Sequence, residues 1–467
     1  MKIKTRFAPS STGFLHLGSM RTALYSWLFA KRFNGSFVLR IEDTDISRSN
    51  TVYIKNILST LKWLGITWDE GPYLQSTRLR FYKKVIHYML ESNLAYKCYC
   101  SIDRLNMIRR NQILNGKKPR YDRKCREIFF NNRNNESYVI RFKNPLDGQV
   151  IFDDQIRGRI IFNNHELDDL IIQRRNGIPT YNFCVVMDDL DMQITHVIRG
   201  EDHINNTPRQ INILKSLNAN IPIYAHVSMI INHDKTNLSK RKNSESLLDY
   251  KKEGILKEAV LNYLLKLGWS HNDQEIFSLE EMKQFFSLKG ISKSSSTLNK
   301  KKLLWFNHYY LNHLPIDSNL IDNFKKCLHA LNISFENGPD LFLIISILRD
   351  RCNTLKQMAL QSKYFFSDFF DINTNLLRKY SSIHFYNLLS IIYNKLSYFS
   401  IWNAKHIMLL VDEISLKYKF SLKDIYVLLR ISITGSSVSP SISKVMEIIG
   451  QSSSLVRIKN MLFLIQD

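Results

Sequence analysis

Apolar positions near the start of the chain switch between two periods. Ile3 to Ala8 reads as a strand, which the turn-forming run Pro9-Ser10-Ser11-Thr12-Gly13 brings to an end. Leu24, Trp27 and Leu28 with Lys31 then recur at helical spacing. Phe37-Val38-Leu39-Arg40-Ile41 is a second strand, and Ile54, Ile57, Leu58, Leu61 and Leu64 form the stripe of a second helix. Such alternation specifies a parallel sheet, because parallel neighbours need a crossover long enough to carry a helix. From Tyr96 to Ile172 the pattern loosens into short strands, basic loops and an Asn-rich stretch, the mark of an inserted module. Order then returns. Thr207 and Pro208 suit an N-cap and first helical residue for the run Ile211, Leu214, Leu217, and Tyr224 to Ile231 reads as a further strand. The sheet is expected to be split by the insertion.

Beyond Leu247 helical spacing takes over, as in Leu256, Val260, Tyr263, Leu264 and Leu267 ending at Gly268. It persists through Leu341 to Leu348, His406 to Leu416 and Ile425 to Ile431 with almost no hairpin signal. The expected architecture is α/β with an α+β insertion, followed by an all-α C-terminal region.

Several domains are expected, since 467 residues exceed one ordinary core. A hydrophobic content of 44% and an aromatic content of 12% exclude the disordered and fibrous classes. Lys and Arg number 65 against 42 acidic residues, and the resulting +23 repels itself unless a polyanion offsets it. Nucleic acid or an acidic membrane is the matching partner. The other reading is a solvated basic surface left by a Lys-, Asn- and Ile-rich vocabulary, as in Asn131-Asn132-Arg133-Asn134-Asn135. The N-terminus alternates charged and apolar residues and resembles neither a signal peptide nor an anchor; runs such as Leu341 to Leu348 are too short to cross a bilayer. A cytoplasmic protein without a membrane partner is expected. Cys98, Cys100, Cys125, Cys184, Cys327 and Cys352 are sparse and irregularly spaced, which argues against a disulfide framework.

Two loops carry candidate chemistry. The first, Pro9 to Gly18, lies between the first strand and its helix, where open α/β sheets bind ligands. Amides at a helix N-terminus favour anions, and glycines such as Gly13 and Gly18 let phosphate approach. The second, Leu238-Ser239-Lys240-Arg241-Lys242, follows the strand Tyr224 to Ile231. Nucleotidyl transfer needs donors on the charge that develops at the α-phosphate, and His16 from one side with Lys240 from the other would supply them. Each loop alone also reads as an ordinary turn.

His16-Leu17-Gly18-Ser19 resembles the HIGH signature, and Leu238-Ser239-Lys240-Arg241 the KMSKS signature, of class I aminoacyl-tRNA synthetases. The stretches Arg6 to Ser10, Leu39 to Asp45, Asp69 to Tyr73, Ile198 to His203, Tyr181-Asn182-Phe183 and Asn262 to Trp269 are similar to those of bacterial glutamyl-tRNA synthetases. The likeness runs from residue 2 to about residue 310 and continues more weakly to the C-terminus. It implies a split Rossmann-like catalytic domain at 1–95 and 179–246, an acceptor-end-binding insertion at 96–178, a stem-contacting region at 247–312, and a helical anticodon-binding domain at 313–467.

The activity implied is glutamate–tRNA ligation with ATP and Mg2+, by a monomer whose partners are tRNA(Glu) and L-glutamate. The resemblance implies His16 and Lys240 as the catalytic residues. ATP is placed on Pro9, Ser10, Thr12, Gly13, His16, Gly18, Leu238, Ser239, Lys240 and Arg241. A substrate with two carboxylates and an ammonium needs cations and one anion. The resemblance puts Arg6, Arg199 and Tyr181 at carboxylate, Glu42 at ammonium, and Ala8, Ser10 and Asn182 around them. Such enzymes usually need bound tRNA before they activate glutamate.

Three departures stand out: Ser11, Ser19 and Asn237 occupy positions where the family commonly has Pro, Gly and Lys. Losing a lysine at residue 237 removes one cation from the phosphate site, flanked here by Lys235 and Lys242, and slower chemistry is expected. Cys98, Cys100 and Cys125 offer three soft ligands for Zn2+; related sequences place His where this chain has Glu127, so a Cys₃Glu site and a metal-free remnant both stay open. Also open are a non-discriminating enzyme that charges tRNA(Gln) too, and a tRNA-binding protein with a decayed active site. Glutaminyl enzymes with this catalytic half read the anticodon with β-barrels, which the helical C-terminus excludes.

Overall fold

The computed structural model describes residues 2–44, 49–127, 136–232, 234, 236, 246–367, 380 and 382–466. The chain forms two compact units, residues 1–249 with 257–303, and residues 250–256 with 304–467.

In the first unit, strands β1 (Lys4–Phe7), β2 (Ser36–Ile41) and β3 (Glu70–Leu74) make a parallel sheet in that order, with Thr5 opposite Phe37 and Phe7 opposite Leu39. Helices α1 (Leu17–Arg32) and α2 (Thr51–Leu64) are the crossovers. Every residue of β2 from Phe37 to Ile41 is buried, as a strand covered on both faces must be. Asn50 caps α2 by accepting from the Val52 amide at 2.8 Å, and Gly65 ends it at φ 72°.

An insertion follows helix α3 (Leu79–Glu91). It comprises β4 (Ala95–Cys98), α4 (Ile102–Leu114), β5 (Val139–Phe142), the hairpin β6 (Gln149–Asp154) with β7 (Gly158–Asn163), and β8 (Ile171–Gln173). Strands β4, β5 and β8 are antiparallel neighbours. The hairpin does not stand apart: Val150 and Phe152 share a core with Val38, Val197, Ile211 and Tyr224 of the parallel layer. By contrast α4 buries no residue.

The sheet resumes after helix α5 (Tyr181–Asp191). Strand β9 (His196–Gly200), helix α6 (Thr207–Ser216) and strand β10 (Ile223–Val227) form one parallel crossover, with His226 opposite Arg199. The Thr195 amide donates to the Lys4 carbonyl at 2.9 Å and sets β9 beside β1. The α/β architecture expected from the periodicity, with its sheet split by an α+β insertion, is therefore present.

Two local expectations change. The strand read over Tyr224 to Ile231 breaks after Val227, and only Ile230–Ile231 pairs again, with Ser296–Thr297. At the break, side chains replace ladder partners: Arg21 donates to the Ser228 carbonyl, and Glu201 accepts from the Met229 amide at 2.7 Å. Thr207 is the first residue inside α6, not its cap. A 3₁₀ turn over Glu201–Asn206 has already rotated the chain, so Asn206 takes the cap position and the Thr207 hydroxyl turns inward. Later in this unit Gly268 ends the segment that follows helix Lys257–Lys266 at φ 106°, a conformation other residues rarely adopt.

The second unit is helical among its described residues, with helices Ser318–Ala330, Leu341–Leu348, Leu355–Gln361, Ile383–Ser397, Ala404–Tyr418, Leu422–Thr434, Ile442–Ile449 and Gln451–Gln466. Phe324, Ile344, Leu388, Ile414 and Leu428 are among its fully buried residues. No helix among the described residues is long and apolar enough to cross a membrane.

Candidate active site

A cavity of about 540 Å³ opens beyond the carboxyl ends of β1, β2 and β9, the position the parallel topology predicts for a ligand. On one side stands the N-terminus of α1. His16 is its N-cap and accepts from the Ser19 amide at 3.3 Å. Ser10 and Thr12 hydroxyls meet at 3.2 Å, and the Pro9 carbonyl accepts from the Glu42 amide at 2.9 Å, which holds the loop against β2. At Gly18 an added Cβ would lie 3.1 Å from the His16 ring. A helix N-terminus with a hydroxyl pair and an imidazole beside it is an arrangement that favours an anion such as phosphate.

The opposite side is a buried charge cluster. Arg40, wholly buried in β2, reaches Asp189 at 2.8 Å and Asp188 and Glu42 at 3.5 Å. Arg6 pairs with Asp189 at 3.3 Å and donates to the Ile198 carbonyl. Asp188 is further held by Gln75, Arg78 and Tyr82 at 2.8, 2.8 and 2.9 Å. Buried charge survives only when paired, and here almost every charge is. Burial opposes ionisation of Asp189, but Arg6 and Arg40 hold its carboxyl below the ordinary range. Glu42 is different: burial pushes it up to about 7 despite Arg40 and Arg6.

Arg199 is the exception. Its guanidinium donates to His226 Nε2 at 3.1 Å, Gln210 Oε1 at 2.9 Å and Thr207 Oγ1 at 2.8 Å, all neutral groups. No carboxylate lies within ion-pair distance of it among the described residues, although it is only 5% exposed, and burial draws its pKa down. A desolvated cation whose partners are all neutral is poised for an anion. Tyr181 stands beside it; burial raises its phenol pKa, and its hydroxyl lies 3.3 Å from His203 Nδ1. Burial brings His203 down to about 4, so that ring is neutral at pH 7.

Of the residues proposed from sequence, Arg6, Ala8, Pro9, Ser10, Thr12, His16, Gly18, Glu42, Tyr181 and Arg199 line this one cavity. Gly13 and Asn182 are not among the lining residues; Asn182 instead accepts from Gln210 Nε2 at 2.9 Å, one step behind Arg199. Leu238, Ser239, Lys240 and Arg241 lie outside the described residues. Sequence reasoning missed Arg40, Asp188, Asp189, Gln210 and His226. A signal existed for the acidic pair: two carboxylates continue the apolar run Phe183 to Met187, where unpaired charge would not be tolerated.

In the insertion, the sulfurs of Cys98, Cys100 and Cys125 lie within 4.8 Å of one another. Strand β4 ends at Cys98, so Cys100 reaches the cluster from beyond the strand. Glu127 does not join them: its side chain is 78% exposed and faces Arg126 at 3.4 Å. The fourth donor at this cluster is Tyr121, whose hydroxyl is 3.3 Å from Cys98 Sγ and 3.5 Å from Cys100 Sγ. Three thiols and a phenol, all buried, are a donor set that fits a closed structural zinc site.

The model of the catalytic domain of class I tRNA synthetases (E and Q) matches residues 2–305, and that of an anticodon binding domain matches residues 319–462. The chain is 54% identical over 460 residues to the glutamate–tRNA ligase of Buchnera aphidicola subsp. Acyrthosiphon pisum (strain APS), covering 98% of each. It is 51% identical over 471 residues to that of the subspecies Baizongia pistaciae (strain Bp), covering 100% of this chain and 99% of the other. Among solved structures it is similar to a glutamate tRNA ligase from Elizabethkingia meningosepticum CCUG26117 in complex with its amino acid, with a TM-score of 0.88, 30% identity and 99% of each chain covered. The glutamate–tRNA synthetase of Elizabethkingia anophelis gives a TM-score of 0.85 at 30% identity, covering 99% of this chain and 100% of that one. With both halves matched and full-length relatives at this identity, the chain belongs to the glutamate–tRNA ligase family of class I tRNA synthetases.

Proposed function

We propose that this chain activates L-glutamate with ATP and transfers the glutamyl group to the terminal adenosine of tRNA(Glu). The observation that carries the reading is Arg199, a buried guanidinium with only neutral partners on the wall of a cavity that also holds a phosphate seat. A substrate carboxylate supplies the missing counter-charge. Arg6, already half-neutralised by Asp189, faces the second carboxylate, and Glu42 takes the ammonium. Ser10 and the Ala8 backbone complete the pocket, and Asn182 acts through Gln210.

The α-carboxylate attacks the α-phosphate of ATP and pyrophosphate leaves; a terminal hydroxyl of the tRNA then attacks the adenylate carbonyl and AMP leaves. Catalysis is positioning and charge stabilisation, with no covalent enzyme intermediate. His16, Thr12, Gly18 and the first amides of α1 hold the phosphates, joined by Lys240 with Leu238, Ser239 and Arg241 from the second loop, while Pro9 and Gly13 shape the first. Mg2+, when bound, shares the phosphate charge. The three cysteines hold a structural Zn2+ with Tyr121 as fourth donor, in place of Glu127. The insertion at 96–178 receives the acceptor end, residues 247–312 the stem, and the helices of 313–467 the anticodon. The enzyme works as a cytoplasmic monomer.

Recombinant full-length protein is tested with ATP, Mg2+, labelled glutamate and separately purified tRNAs. Charging of tRNA(Glu) is expected. No charging refutes the reading in favour of a decayed, tRNA-binding scaffold, and equal charging of tRNA(Gln) marks the non-discriminating form.

A further inference from the structure

Arg199 and His226 are direct register partners on the neighbouring strands β9 and β10, so their side chains leave the same face of the sheet. The contact is Arg199 Nε to His226 Nε2, 3.1 Å. On its other edge the imidazole meets Asp154 of the inserted hairpin, Nδ1 to Oδ2 at 2.6 Å, and both side chains are wholly buried. Asp154 also accepts from the amides of Ile156, Arg157 and His226 at 3.0, 2.9 and 3.1 Å. The remaining groups around the ring are the Thr207 hydroxyl at 3.1 Å from Nε2 and the Tyr224 and Phe152 rings.

This geometry admits one arrangement of protons. Nδ1–H donates to the Asp154 carboxylate, which leaves the Nε2 lone pair to receive the Arg199 Nε–H; a second ring proton would set N–H against N–H beside a guanidinium. We propose that His226, oriented by Asp154, is the positioning residue that fixes Arg199 while leaving its charge free for a substrate carboxylate. The contrast within the same cavity makes the point. Asp189 touches Arg6 and Arg40 directly and offsets part of the charge of each. At Arg199 an imidazole is interposed, so the guanidinium is oriented by hydrogen bonds to neutral groups and the anion behind the imidazole, Asp154, is one ring away. A site built this way prefers a carboxylate to the isosteric amide, because only the former supplies the missing charge.

The proposal rests on the assignment of the cavity to glutamate, and the test separates the two. Arg199→Ala, His226→Leu, His226→Gln and Asp154→Asn are compared with wild type in the full-length chain for KM of glutamate, KM of ATP, kcat and thermal midpoint. His226→Leu and Asp154→Asn are expected to raise KM for glutamate about tenfold or more, with KM for ATP within about twofold. His226→Gln, whose amide oxygen can accept from Arg199 while its N–H₂ faces Asp154, is expected to recover part of that loss. An unchanged KM in Arg199→Ala overturns the glutamate assignment and the proposal with it. A raised KM in Arg199→Ala beside wild-type values in His226→Leu and Asp154→Asn overturns the proposal alone. So does a loss spread equally over both substrates and tracking the thermal midpoint, or a His226→Gln variant no better than His226→Leu.

Discussion

Replacing Glu42 by Gln is expected to strengthen the fold while it weakens glutamate binding. The carboxyl sits within the charge cluster, 3.5 Å from Arg40, yet burial outweighs both arginines and lifts its pKa from 4.5 to about 7. The folded protein therefore holds this proton more tightly than the unfolded chain does. Its contribution to stability is full below pH 4.5 and is lost as pH rises through about 7. The gap between 4.5 and about 7, at ~1.4 kcal/mol for each tenfold in proton affinity, makes ionised Glu42 cost roughly 3 kcal/mol at pH 8. Gln mimics the neutral acid and should recover most of that, a rise of roughly 5 °C or more in the midpoint of thermal unfolding. The gain should shrink steadily between pH 7 and pH 4.5. In the same variant KM for glutamate should increase, since the ammonium loses its counter-charge, and in wild type it should increase as pH falls below about 7 for the same reason. Melting curves at several pH values, with parallel charging assays, measure both. A variant no more stable than wild type at pH 8, or a gain that ignores pH, would refute the account of Glu42 as an ion held in place against its own desolvation.

Arg40→Met should leave Asp188 to Arg78 and Asp189 to Arg6 alone, two buried carboxylates short of the cation they share, and cost about 3–5 kcal/mol in chemical denaturation; a loss under about 1 kcal/mol would mean the cluster is solvated. Lys240→Ala should slow adenylate formation in the presence of tRNA, and a rate insensitive to the change would remove that loop from the phosphate site. Elemental analysis should find zinc near one equivalent, undiminished in Glu127→Ala and reduced in Tyr121→Phe. Less than about a tenth of an equivalent in wild type would sink the metal reading.

The layers of the fold were legible because they rest on short-range regularities. The apolar run Phe37 to Ile41 and the stripe through Ile57, Leu61 and Leu64 each state a period, and a period implies an element and a buried face. The walls of the site were legible through compact stretches such as Arg6 to Ser10 and His16 to Ser19, which stay together in space because they flank one turn. What escaped was pairing over distance. Arg40 meets Asp189 across 149 positions and His226 meets Asp154 across 72, and nothing local to His226, set between Ala225 and Val227, distinguishes it from a core histidine. Tyr121 had no spacing rule to announce it beside the cysteines. The Thr207 and Tyr224–Ile231 readings failed for one reason: propensity sees the backbone's own hydrogen bonds, whereas Arg21, Glu201 and Arg199 recruit hydroxyls, carbonyls and amides from outside that pattern.

The hairpin of β6 and β7 bears on how freely such a chain could be recombined. Its turn gives Asp154 to His226, Arg157 to Glu201, and the Gln155 amide to the Tyr224 carbonyl at 2.9 Å. Helix α4 buries no residue fully, so most of its positions can be exchanged provided that Leu105, packed on the cysteine cluster, and Arg104, paired with Asp122, are kept. A graft of the whole inserted module from a distant relative is another matter: it would have to carry both side chains of that turn in register, or the recipient sheet would inherit a histidine without its carboxylate and a glutamate without its cation.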